Sequence, residues 1–162
     1  DTRTFISAII PKNVFVPNFA PTLIHPDISK SMMVYLVGVF NSIPFDWYAR
    51  LWVEINVNFF IFEKFPIPKL NINSKLFKEI VKTAGKLSCI DKRYEELANK
   101  IGIKIIKIDE KEKNDLICYL DALVSKVYNL TIEDVEVIFK SFHHGWDYSN
   151  RLSKVIKYFK KI

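Results

Sequence analysis

"NVNFFIFEKFPIPKL", residues 56–70, decides how the first part of this chain is read. Four aromatic rings lie between Phe59 and Phe65, and Pro66 and Pro68 follow at once. Aromatic and β-branched residues favour strands. In a strand Phe59 and Ile61 would point one way and Phe60 and Phe62 the other. Both faces would then be apolar, which predicts a central strand buried on both sides. Pro66 has no ladder donor and would end the pairing. Base stacking is the other use of such a run, but a stacking platform leaves one face exposed and polar. On the core reading Phe60→Ala would cost about 3 to 5 kcal/mol.

Outward from this stretch, "RTFISAII", residues 3–10, reads as a second strand. Residues 11–31 contain four prolines and read as a long, stiff loop. "SKSMMVYLVGVFNS", residues 29–42, predicts a helix capped by Ser29 or Ser31, with Met33, Leu36, Val37 and Phe40 on one stripe. Pro44 opens another, with Phe45, Tyr48, Ala49 and Trp52 inward. From Ser74 the pattern is helical: Leu76, Ile80, Val81, Ala84 and Leu87 share a face. Asp91 caps a helix that Gly102 ends. Leu116, Leu120, Leu123 and Val127 form the next stripe, and Thr131 with Asp134 reads as a capping-box start. The last helix turns Leu152, Val155, Ile156 and Phe159 inward. The expected class is α+β: a small β-containing module with two helices over residues 1–73, then an all-helical subdomain over residues 74–162.

At 162 residues and 19.0 kDa the chain suits one domain, or one with an appended subdomain. With 49% hydrophobic residues and no apolar run of the roughly 18 to 20 that a membrane helix needs, it reads as globular, soluble and cytoplasmic. Cys89 and Cys118 lack metal-ligand spacing and read as reduced, small hydrophobes. The net charge is +6, and its distribution matters more than its size. Residues 1–73 contribute +1, residues 74–150 are neutral, and "RLSKVIKYFKKI" from Arg151 carries five basic residues and no acid. Such a tail suits a polyanion or an acidic neighbouring domain, or it is a solvated helix end.

The chemistry absent from the sequence is informative. A methyl-donor or dinucleotide site needs glycines where backbone approaches the ligand, and the four here stand apart. There is no P-loop, no Asn-Pro-Pro-aromatic tetrad and no Glu-x-Lys of a metal-dependent nuclease. "DEKEK" from Asp109 reads as a charged linker. "FHHGWDYSNRL" places His143, His144 and Asp147 close together, but adjacent histidines point in different directions and rarely share a metal. A nuclease built on those three is the remotest reading. No catalytic, metal or cofactor residue is assigned.

The order of the pieces is more specific. "RTFISAIIP", "LVGVFNSIPFDWYARLWV", "NVNFFIFEKFPIPKL", "AGKLSCIDKRYEELA" and "LDALVSKVYNLTIEDVEVIFKSF" follow one another. Together they resemble the C-terminal target-recognition (specificity) region of the combined type II restriction-modification, adenine-N6 DNA methyltransferases, and the phage-exclusion methyltransferases are similar. The resemblance spans residues 3–142. It rests on the Asn-Ser helix end at Asn41 and Ser42, the Asn58-Phe59-Phe60 run leading to Pro66 and Pro68, and Asp121-Ala122-Leu123-Val124 with Tyr128. It implies sequence-specific recognition of double-stranded DNA, on behalf of a methyltransferase domain of the same polypeptide. S-adenosylmethionine would bind that domain, and no cofactor would bind these residues. The aromatic run would then anchor recognition loops in the core.

Duplex readout uses Arg or Lys on guanine and Asn or Gln on adenine, while Lys, Ser and backbone amides position phosphates. The candidates outside the apolar stripes are Lys12, Asn13, Asn18, Ser29, Lys30, Ser31, Arg50, Asn56, Asn58 and Lys64. Arg50 is the sharpest, as a bidentate guanine reader. Its alternative is an ion pair with Asp46 one turn back. The rival from another class is a helical protein interaction module, docking a methyltransferase or partner subunit with little DNA contact. A DNA surface would gather basic residues on one face, whereas an interaction module would expose an apolar patch.

Overall fold

The computed structural model describes residues 3–17, 20–53, 57–142 and 148–162, and every regular element among them is helical. The expected α+β class is corrected to all-α. Neither residues 3–10 nor the aromatic run forms a strand ladder. Phe59–Phe62 is instead a single helical turn, α3 in chain order. Asn58 caps it, its side chain accepting from the Ile61 amide at 3.0 Å. A strand needs a neighbour to satisfy its backbone, whereas a turn with a cap satisfies itself.

This changes which rings are inside. Helical spacing sends Phe62 and Phe65 into a cluster with Phe5, Phe40 and Phe45, the Phe45 and Phe65 centroids being 5.4 Å apart and edge-on. Phe59 and Phe60 face outward, and Phe60 is 66% exposed with Lys64 3.9 Å above its ring. The expected burial of Phe60 is therefore corrected. Phe60→Ala should lower stability by less than about 1 kcal/mol, the order of an exposed cation–π contact. A urea-midpoint loss as large as for a buried phenylalanine would contradict this placement.

The body is built on three helices: α1 (Lys30–Phe40), α4 (Lys75–Ser88) and α6 (Glu110–Val127). Ser29, not Ser31, caps α1. Its fully buried residues are Val34, Tyr35, Gly38, Val39 and Phe40, while the expected Met33, Leu36 and Val37 are half-buried. The stripe fails because α1 is not a surface helix. It touches α4, α6, α2 (Ile43–Arg50) and α5 (Glu95–Lys100), so it is apolar on several sides. Gly38 permits the close approach of α1 to α4: a Cβ there would lie 2.9 Å from that of Ala84. In α2, Phe45 and Ala49 are buried as expected, but Trp52 lies in the following turn, half exposed.

In α4, Ile80, Val81 and Ala84 are buried as the stripe requires, with Phe77 added, whose ring stacks on Tyr35. Asp91 caps a 3-10 turn, Lys92–Tyr94, leading into α5. Gly102 follows with φ +71°, the left-handed position that glycine takes without strain. The "DEKEK" segment is no linker: Asp109 caps α6, and Glu110 and Glu112 occupy its first turn, where the helix dipole favours acids. The α6 helix serves two cores. Leu120, Leu123, Val124 and Val127 join the α1–α4 core, while Cys118 and Ala122 face a second one. That second core is formed with Ile43, α7 (Ile132–Lys140) and α8 (Ser149–Phe159). The Thr131–Asp134 capping box opens α7 with both reciprocal bonds present. Both cysteines are buried free thiols, and burial pushes Cys118 up to about 11. No helix among the described residues is long and apolar enough to cross a membrane.

Candidate nucleic-acid interface

The expected contact residues divide by what already engages them. Lys12 is exposed and pairs with Glu96, which Lys100 also approaches at 3.2 Å. Those two cations hold the Glu96 carboxyl down to about 2. A carboxyl depressed in the folded state contributes stability above its ordinary range, and that contribution fades as pH falls from there toward 2. Lys12→Ala should therefore raise the Glu96 midpoint in a carbon-detected NMR titration. An unchanged midpoint would mean that Lys12 does not rest on Glu96.

Asn13 sits exposed at a turn with φ 62°, a conformation Asn tolerates better than most residues. Lys30 and Ser31 lie in the first turn of α1, Lys30 exposed and Ser31 half-buried. Asn58 is exposed, with its carbonyl oxygen engaged as the α3 cap. Lys64 covers the Phe60 ring. Asn18 and Asn56 lie outside the described residues, as do His143, His144 and Asp147. Among the described residues no group of three or more His, Cys, Asp or Glu could hold a metal.

Arg50 is drawn inward. Its Nε lies 3.5 Å from Asp46 Oδ2, and its guanidinium lies over the Phe142 ring at 3.7 Å. The one-turn ion pair is thus the observed arrangement. Asp46 is fully buried and does more than pair with Arg50. Its Oδ1 accepts from the amides of Thr4 at 3.0 Å and Phe5 at 2.6 Å, and Arg3 Nε stands 3.3 Å from Oδ2. Arg3 also donates to the Asn41 carbonyl at 3.1 Å. A charge this deep persists only with such partners.

A second buried carboxylate, Asp121, was not singled out by its chemistry in the sequence. Its Oδ1 accepts from the Ile43 amide at 2.9 Å, serving one of the orphan donors at the α2 N-terminus from a different helix. Its Oδ2 accepts from Arg151 Nε at 2.8 Å and forms an ion pair with Nη2, 2.7 Å away. Burial works against the Arg151 charge, but Asp121 outweighs it and the guanidinium is held more firmly protonated than usual. Lys154 pairs with Asp115 across α6 and α8, but at the surface, with both side chains partly exposed. Of the five basic tail residues Arg151 is thus committed to packing and Lys154 to a surface pair, while Lys157, Lys160 and Lys161 remain exposed.

Long-range bonds also join the segments around these carboxylates. Asn41 Oδ1 accepts from the Ser7 amide at 3.0 Å, and its Nδ2 donates to the Ser7 carbonyl at 2.8 Å. The hydroxyl of Tyr128 donates to the Pro66 carbonyl at 2.8 Å and that of Tyr35 to Pro68 at 2.7 Å. Burial pushes the Tyr35 phenol up to about 12. The two prolines that close the aromatic run are thus each held by a tyrosine, Tyr35 in α1 and Tyr128 at the end of α6. Comparison with family models, curated proteins and solved structures finds no match to this chain.

Proposed function

We propose that this chain is a sequence-specific DNA-recognition part from the C-terminal region of an adenine-N6 DNA methyltransferase, in a restriction-modification or phage-defence system. One observation carries the reading: the segments of the resemblance are those that lock one another in place. Asn41 holds Ser7, Asp121 holds Ile43, and Tyr128 holds Pro66. Motifs that are weak singly thus act as parts of one scaffold. On this reading the chain is non-catalytic by itself, acts in the cytoplasm, and serves a methyltransferase domain of the same polypeptide that binds S-adenosylmethionine.

Readout then falls to residues around the scaffold, with the exposed Asn13 as base reader and the exposed Lys30 and half-buried Ser31 as phosphate contacts. Selection by the chain from a randomised duplex library should enrich one motif. Asn13→Gly, which keeps the left-handed turn, should relax one base pair by about 1 to 3 kcal/mol. Lys30→Ala should weaken all sequences evenly and flatten the salt dependence. Enrichment of no motif would sink the proposal.

The rival interaction-module reading has its own support. A groove of about 170 Å³ runs between Phe5, Ile6, Leu23, Val57, Phe59 and Phe62. Ile6, Leu23 and Phe59 are 67%, 57% and 52% exposed beside it. Absence of DNA binding even at low salt would favour this reading.

A further inference from the structure

Residues 5–10 belong to no helix and leave one backbone edge open. Exposure alternates along them: Phe5, Ser7 and Ile9 turn toward the helices, while Ile6, Ala8 and Ile10 are exposed. This is the period of a strand. Backbone bonding follows the same alternation. The amides of Phe5 and Ser7 donate to Asp46 and Asn41, the Ser7 carbonyl accepts from Asn41, and the Ile9 carbonyl accepts from Tyr94. The Asn41 amide meets both backbone groups of Ser7, as an adjacent strand would. No hydrogen bond among the described residues reaches the N–H or C=O of Ile6, Ala8 or Ile10. Successive strand residues aim these groups at opposite edges, so one edge is closed by side chains and the other is unmet.

We propose that this edge pairs with the same edge of a second copy of the chain, antiparallel, with the two-fold axis at Ala8. The edge is complementary to itself. Pairing centred on Ala8 sets Ile6 opposite Ile10 and Ala8 opposite Ala8, each pair exchanging both of its N–H···O bonds. Ile6 and Ile10 of the two copies become cross-strand neighbours on a face that water covers in the single chain. No charged residue lies between Phe5 and Ile10 to guard the edge, and Pro11 only ends it. The proposal rests on these residues and not on the methyltransferase reading, so either can fail without the other.

Sedimentation equilibrium from micromolar to millimolar chain should show a monomer–dimer equilibrium. Amide exchange at Ile6, Ala8 and Ile10 should slow as concentration rises. Ala8→Pro removes a donor that bonds nothing in the single chain, and extended neighbours accommodate proline. It should weaken dimerisation by about tenfold or more while the melting temperature of dilute protein holds. Ile6→Lys, which keeps the backbone and places a charge on the edge, should do the same if the proline variant misfolds. The proposal is overturned if the chain stays monomeric throughout. It is equally overturned if a folded variant dimerises as tightly as the parent, or if the three amides exchange equally fast in monomer and dimer.

Discussion

Asp46→Ala should lower the stability of the chain by about 3 to 5 kcal/mol, because breaking a buried ion pair leaves its partners uncompensated. The substitution deprives Arg3 and Arg50 of this carboxylate and removes the acceptor for the Thr4 and Phe5 amides. For a chain of this size the melting temperature should fall by roughly 6 to 20 °C. Asp46→Asn should fall between, since an amide oxygen can still accept from the two backbone donors but cannot neutralise the arginines. The N-terminal segment should loosen first, so limited proteolysis near residues 3–10 should accelerate in both variants. A melting temperature within a degree or two of the parent would mean that Asp46 is not the buried anchor described. The same result would return Arg50 to the list of DNA readers.

Asp121→Ala should have a comparable effect at the other end of the chain. It removes the acceptor of the Ile43 amide and the hydrogen-bonded ion pair with Arg151, which together join α2, α6 and α8 at one carboxylate. The expected loss is again about 3 to 5 kcal/mol. Arg151→Met keeps much of the apolar stem and should cost less. In a double-mutant cycle the two changes should couple by about 0.5 to 3 kcal/mol, as partners in one network do. Strict additivity in urea unfolding would show that the pair contributes nothing beyond its separate members. Because Arg151 lies in the basic tail, the cycle also measures how far the tail is packing and not a polyanion surface.

Several helix boundaries of this protein were legible in its sequence because they are local events. Ser29, Asp91, Thr131 with Asp134, and Gly102 act on backbone within a few residues, and each stands where its chemistry predicts, whereas the Asp109 and Asn58 caps were hidden in a charged run and an aromatic one. The stripes of α4 and α6 were legible for a related reason: each includes a face that a 3.6-residue period must bury. The class of residues 1–73 was not. Phe59–Phe62 has the composition of a strand, but a strand exists only if another lies beside it, and composition does not supply a neighbour. Tertiary structure made the run one capped turn and put Phe60 outside. The network around Asp46 and Asp121 was equally hidden, except for the one-turn pair with Arg50. Its partners lie tens of residues away, and a buried carboxylate looks in sequence like any solvated one until the fold brings amides and arginines to it.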